Sequence, residues 1–105
     1  LYLEGGRVRG GGGEVQLTAN EARLLRLMSA SPGVVFTREE IRAAVGVSGD
    51  AADAAVDHLV SRLRSKLRAA GAVAPIRTVR GQGFMWSLGD RPPLEKLKPS
   101  LAAVS

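Results

Sequence analysis

Short polar and cationic side chains recur on one face of the segment from residue 54 to residue 70. A nearly straight row comprises Ala54, His58, Ser61, Arg62 and Ser65. Apolar residues recur on the other side at helical spacing, which predicts a helix with one buried face: Val56, Val60, Leu63 and Leu67. A row of small polar groups bordered by cations fits the floor of a DNA major groove.

Three residues of this row are candidates for base readout. Arg62 is the first choice, because a guanidinium pairs bidentately with guanine O6 and N7; the alternative is a phosphate contact alone. His58 fits a base edge or a thymine methyl as well as it fits an ordinary surface position. Ser61 is expected at a phosphate or a base edge, or is simply small enough to allow close approach.

The bordering cations are expected to bind the DNA backbone, which positions a protein without specifying sequence. These cations are Arg64, Lys66 and Arg68. Arg38, near the start of a preceding helix, is a further candidate for a phosphate contact beside that helix's amides. Asp57 should avoid DNA, where phosphates would repel it, and is expected to orient a neighbouring cation or to lie on the helix flank.

A second basic element follows at residues 78–84, with the sequence Thr-Val-Arg-Gly-Gln-Gly-Phe. Gly81 and Gly83 permit a tight turn that exposes Arg80 at the tip of a hairpin. A cation on a thin hairpin can enter the minor groove, where the negative potential is enhanced. Thr78 and Gln82 can donate to phosphates beside it. The alternative is an ordinary hairpin turn with no ligand.

The charge distribution supports a nucleic-acid ligand. The chain of 105 residues has a net charge of +5. Residues 1–53 balance at −1, residues 54–89 at +5 and residues 90–105 at +1. The excess therefore lies on the basic helix and hairpin, as an electrostatic footprint for nucleic acid would.

Composition limits the other classes of function. The chain has no cysteine and one histidine, so we expect no disulfide scaffold, no metal site and no cofactor. It lacks a nucleophile with a base, a carboxylate pair in a recognisable pocket and a phosphate-binding glycine motif after a strand, which argues against an enzyme. The lack of cysteine favours a reducing, intracellular environment, and no apolar run reaches the roughly 20 residues of a membrane span; we expect a cytoplasmic protein. A start at Leu1 rather than Met favours a piece of a longer protein.

The local patterns predict an α+β fold. Short strands at residues 1–3, 7–9 and 14–17 are separated by glycines, and the run Gly10–Gly13 is expected to be a mobile loop. Capping boxes at Thr18–Glu21 and Thr37–Glu40 open two helices around a short strand at residues 34–36. A third helix, residues 54–70, precedes strands at 76–79 and 83–88, in which Phe84, Trp86 and Leu88 alternate inward.

This order predicts a winged helix-turn-helix: a small N-terminal antiparallel sheet, three helices and a C-terminal β-hairpin wing. We assign residues 1–89 to this domain. Residues 90–105 contain Pro92, Pro93 and Pro99, and we expect a flexible C-terminal tail.

The chain resembles the winged-helix effector domain of OmpR/PhoB-type response regulators over roughly residues 1–88. The matching pieces are 17–21, 32–39, 56–57, 61–67 and 78–84. The pattern departs at Ala54–Ala55, where the family commonly has Arg-Thr, at His58–Leu59, where it has Val-His, and at Val45, where Trp is common. The loop 47–53 is small and acidic rather than aromatic.

The resemblance implies sequence-specific binding of double-stranded DNA in a bacterial two-component system. It implies an upstream receiver domain phosphorylated on Asp in a phosphorelay, and a homodimer on tandem half-sites. It also implies RNA polymerase as a further partner. The isolated domain is expected to be monomeric. The alternative hypothesis is a divergent winged helix used as a protein-interaction or regulatory module attached to another domain.

Overall fold

Alternating apolar residues and glycine turns build the N-terminal sheet. The computed structural model describes residues 2–47, 49, 52–72, 75–87 and 94–95. The first three strands are β1 (Tyr2–Glu4), β2 (Arg7–Gly10) and β3 (Gly13–Gln16), paired antiparallel. Leu3 and Val8 face each other and are buried beneath the helices. The predicted antiparallel sheet is confirmed, and Leu3 and Val8 belong to the hydrophobic core.

The glycine run between β2 and β3 is an ordered turn, which corrects the expectation of a mobile loop. Gly10 pairs with Gly13, so only Gly11 and Gly12 lie between the strands. The Gly12 N–H donates to the Ala70 carbonyl at 3.1 Å. A Cβ on Gly12 would lie 2.7 Å from the carbonyl oxygen of Ala69. Glycine is therefore required here by a close approach to the end of the third helix.

Two capping boxes start the first two helices, as predicted. Helix α1 (Ala19–Ser29) begins after Thr18, and α2 (Arg38–Val45) begins after Thr37. In each, the threonine hydroxyl accepts from the N–H of the third helical residue, whose carboxylate accepts from the threonine N–H. Strand β4 (Val35–Phe36) lies between them.

The third helix, α3 (Ala52–Ala69), begins two residues before the predicted start. Ala52 is buried and its N–H donates to the Gly49 carbonyl at 3.2 Å. The start lacks a threonine capping box of the kind that opens α1 and α2, which is why its boundary was misplaced. All four apolar positions predicted for its buried face are buried.

The wing is the hairpin of β5 (Ile76–Val79) and β6 (Gly83–Trp86). Strand β6 also pairs with β4, so the three strands lie in the order β4-β6-β5 with β5 at the edge. Phe84 and Trp86 are buried, as the alternation predicted, whereas Leu88 lies outside the described residues. The predicted winged helix-turn-helix is thereby confirmed.

A short strand after the wing was not predicted. Strand β7 (Leu94–Glu95) pairs in parallel with β1 at the edge of the N-terminal sheet. These two residues lie in the segment that was predicted to be a flexible tail. No apolar pattern marked them as a strand, because backbone pairing to an open strand edge does not require one. The rest of residues 90–105 lies outside the described part of the chain. Within that part, no helix has the length and apolar character needed to cross a membrane.

Candidate nucleic-acid interface

Helix α3 presents the predicted polar row to solvent. The five members of the row are all exposed, while the opposite side of the helix packs into the core. Arg62 and His58 also line an open groove that reaches Thr18 and Asn20 at the start of α1. The side chains proposed for base readout are therefore accessible together on one face.

Arg64 contacts the wing, which differs from its predicted role on the DNA backbone. Its Nε donates to the Ile76 carbonyl and its Nη2 to the Thr78 hydroxyl, each at 3.0 Å. Burial, and then the nearby charge of Arg68, lower the pKa of Arg64. The guanidinium nevertheless stays charged, because an arginine pKa starts far above neutral pH. Thr78, expected at a phosphate, is the acceptor of this contact.

Lys66 forms an ion pair inside the protein, and its predicted contact with the DNA backbone stays a prediction. Its Nζ lies 2.5 Å from Glu21 Oε1 on α1, and the Glu21 side chain is 1% exposed. The sequence marked Glu21 as a capping residue, and its N–H bond to Thr18 confirms that role. The sequence signal for its burial was its position beside Ala22, Leu24 and Leu25 on the packed side of α1.

The Glu21 carboxyl is ionised despite its burial. Burial alone raises its pKa, but the hydrogen bonds from Lys66 and the Thr18 N–H, with the charge of Lys66, lower the pKa below its usual value overall. Among the described residues, no donor reaches its second oxygen, Oε2, which is also buried. Lys66 is therefore the counterion of a buried carboxylate.

Asp57 orients a neighbouring cation, as predicted, and that cation is Arg38. The Arg38 Nε donates to Asp57 Oδ1 at 2.8 Å. The guanidinium also lies over the Phe84 ring, 5.2 Å from its centroid, at a distance typical of a cation–π contact. Arg38 thus joins α2, α3 and the wing, and its predicted phosphate contact would have to use its remaining donors.

The tip of the wing is exposed and carries Arg80, Gly81 and Gln82. The Gln82 N–H donates to the Val79 carbonyl at 2.9 Å and closes the turn. An open groove between α3 and β5 is lined by four arginines, Arg64, Arg68, Arg77 and Arg80. Arg77 was not among the predicted contacts, although it stands beside Thr78 in a basic strand.

Comparison with known proteins identifies the family. The family described as "Transcriptional regulatory protein, C terminal" matches residues 12–86. The chain belongs to this family. The predicted resemblance to the OmpR/PhoB-type effector domain is confirmed.

Two curated members illustrate the relationship. The two-component response regulator PhoP of Pseudomonas aeruginosa is 38% identical over 74 residues, which are 70% of this chain and 33% of PhoP. The heme response regulator HssR of Staphylococcus aureus is 38% identical over 69 residues, 65% of this chain and 31% of HssR. The chain thus spans about a third of the length of the curated relatives it matches.

Among solved family structures, the AdeR DNA-binding domain in complex with an intercistronic region has a TM-score of 0.64 and 34% identity. That match covers 70% of this chain and 77% of the AdeR chain. The Klebsiella pneumoniae RstA DNA-binding domain in complex with the RstA box has a TM-score of 0.63 and 31% identity, over 77% and 82% of the chains. These comparisons support the DNA-binding hypothesis and do not favour the protein-interaction alternative.

Proposed function

We propose that this chain is the DNA-binding effector domain of a bacterial transcriptional regulator, with residues 54–70 in the major groove and residues 78–83 in the adjoining minor groove. The observation that carries the proposal is the exposed row on α3, which contains Arg62 on a helix anchored by its opposite face. The relatives AdeR and RstA, each solved with DNA, support it. We propose no catalytic activity.

The residues divide into three roles in this proposal. Arg62, His58 and Ser61 contact base edges, because they lie on the exposed row. Arg68 contacts phosphate, and Arg80 with Gln82 enters or borders the minor groove, because all three are exposed beside the α3–β5 groove or at the turn. Four of the predicted contact residues have partners within the protein, and we propose that their main role is to hold the helices and the wing in place. These are Lys66, Arg38, Arg64 and Thr78.

The partners of the longer protein are also proposals. We infer two copies on tandem half-sites about one helical turn apart, roughly 10 to 11 base pairs, with the isolated chain monomeric. We infer an upstream receiver domain and a contact with RNA polymerase from the family. Because its proposed ligand is the bacterial chromosome, we place the protein in the cytoplasm.

Selection from a random pool of double-stranded DNA tests this proposal. The bound fraction is sequenced after several rounds at low salt. We expect an enriched motif, and tandem half-sites about 10 to 11 base pairs apart would support pairing of two domains. Retention with no motif would show backbone binding alone, and no retention even at low salt would reject DNA binding.

The pair Arg62→Ala and Arg68→Ala separates base readout from phosphate contact in the same assay. We expect Arg62→Ala to relax preference at one base pair and to cost about 1–3 kcal/mol on the selected site. Arg68→Ala should weaken all sequences by a similar factor. Equal losses on all sequences for Arg62→Ala would reduce Arg62 to a phosphate contact.

A further inference from the structure

Arg64 links the basic helix to the wing by two hydrogen bonds from one guanidinium. Its Nε donates to the backbone carbonyl of Ile76, and its Nη2 donates to the side chain of Thr78. Ile76 and Thr78 alternate along β5, so a single planar group contacts two points of the same strand. This forked geometry is specific to arginine.

The strand that Arg64 contacts is the outer strand of its sheet. Among the described residues, no strand pairs with the far side of β5 in the order β4-β6-β5. Because the Ser87 N–H donates to the Pro75 carbonyl across the hairpin, the next carbonyl along the chain, that of Ile76, points away from β6. Since the tip at residues 80–82 is exposed and carried by β5 and β6, an anchor on β5 restrains the direction in which the tip projects.

We propose that Arg64 is a positioning residue that holds the wing at a set position relative to α3, and so determines which base pairs Arg80 meets. This inference rests on the proposed function. It assigns Arg64 a part in sequence specificity that differs from phosphate binding. The half-buried side chain, bonded to neutral groups of the protein, supports it.

Arg68 provides the matched control. It lies one turn further along α3, has the same charge, is exposed, and lines the same groove. Lysine keeps the charge of either residue but cannot donate to Ile76 and Thr78 in the same forked geometry. Arg64→Lys therefore tests the hydrogen bonds, whereas Arg68→Lys tests only the exchange of one exposed cation for another. Thr78→Val removes the hydroxyl acceptor while keeping a β-branched strand residue.

The first measurement needs no DNA. Because the chain has no cysteine, spin labels can be placed through Ser65→Cys on α3 and Gln82→Cys at the tip of the wing. We expect Arg64→Lys to broaden or shift the distance distribution between the labels, Thr78→Val to do so less, and Arg68→Lys to leave it unchanged. An unchanged distribution in Arg64→Lys would overturn the positioning role.

The second measurement uses the 105-residue chain and the selected DNA site. We expect Arg64→Lys to reduce the preference at the base pairs contacted by the wing by about fivefold, the effect of losing roughly one net hydrogen bond. Preference at the base pair that depends on Arg62 should stay unchanged. A uniform loss on all sequences would identify Arg64 as a phosphate contact and overturn the proposal.

The two measurements separate this inference from the proposed function. If the unsubstituted chain selects no motif, the proposed function fails, while the label distances still decide whether Arg64 holds the wing. If the chain selects a motif and Arg64→Lys keeps every base preference, DNA binding stands and the specificity role of Arg64 is rejected.

Discussion

At the residue scale, the cationic side chains of α3 differ in their contacts and exposure. Arg62 and Arg68 are exposed, Arg64 bonds to the wing, and Lys66 pairs with Glu21. All four were predicted to contact DNA. The helical pattern of the sequence places them along α3 but does not show which of them contact another element of the protein. Their positive charges all contribute to the local electrostatic potential.

Removing only the cation of the Glu21–Lys66 pair should destabilise the fold strongly. Lys66→Met leaves a buried carboxylate without its cation, and we expect a loss of about 3 kcal/mol, the lower end for a broken buried pair, because the Lys66 side chain is 30% exposed. The double variant Glu21→Gln with Lys66→Met should lose less. Urea unfolding at pH 7 measures both, and Arg68→Met is the control, with a change within about 0.5 kcal/mol. A similarly small loss for Lys66→Met would show that the pair is not structural.

The same pair predicts the direction of a pH dependence. The pKa of Glu21 is lowered in the folded chain, so the unfolded chain binds the proton more readily. The contribution to stability is complete above the ordinary glutamate pKa and is lost as the pH falls through the folded value. Urea unfolding between neutral and acidic pH should show a steeper loss for the unsubstituted chain than for Glu21→Gln, which keeps an oxygen acceptor for the Thr18 N–H. Parallel curves would contradict this prediction.

At the element scale, two ion pairs join α2 to α3, and one glycine lets β6 approach β4. The ion pairs are Arg38 with Asp57 at 2.8 Å and Arg42 with Asp53 at 3.7 Å. Gly83 begins β6 with φ of +154°, and a Cβ on it would lie 2.0 Å from the Phe36 carbonyl oxygen. The wing is therefore attached to the helical part of the domain through a contact that only glycine allows.

Gly83→Ala should destabilise the domain more than Gly81→Ala. Both glycines have positive φ, but the space around Gly81 is open to 4 Å, so its substitution costs only the backbone strain of about 1–2 kcal/mol. At Gly83 the added Cβ must also push β4 away from β6, and we expect a loss above about 2 kcal/mol. Urea unfolding of the two variants measures the difference. Equal losses would mean that the β4–β6 contact yields without cost.

At the scale of the whole molecule, the excess of positive charge lies on α3 and the wing. In the part of the chain that the structure describes, the ion pairs include Arg7, Arg9, Arg38, Arg42 and Lys66. The arginines of α3 and the wing lie outside these pairs. These arginines are Arg62, Arg64, Arg68, Arg77 and Arg80. Arg64 is bonded to the wing, so the other four are the ones we expect to neutralise phosphates.

The salt dependence of DNA binding should report this set of charges. With about four or five phosphates neutralised, the logarithm of the binding constant should fall against the logarithm of salt concentration with a slope of roughly −4. Fluorescence anisotropy across a salt series measures it. Arg68→Ala should make the slope less steep by about one, whereas Lys66→Met should change it little, because Lys66 pairs with Glu21. A flat dependence would contradict the proposed footprint.

The elements and the family followed from the sequence because their signals are local. The capping boxes at Thr18 and Thr37, the apolar spacing of α3 and the alternation of Phe84 and Trp86 each depend on neighbours within a few residues. The start of α3 and the strand at residues 94–95 were missed because they carry no such local signal.

The sequence by itself determined the winged-helix fold, the exposed row on α3 and the basic character of the helix and wing. Only the tertiary structure decided which of the cations have partners within the protein and which are exposed. Glu21 lies 45 residues from Lys66, and Arg64 lies 14 residues from Thr78. A long, flexible cationic side chain reaches whichever acceptor the packing brings near it, and no sequence spacing specifies that acceptor.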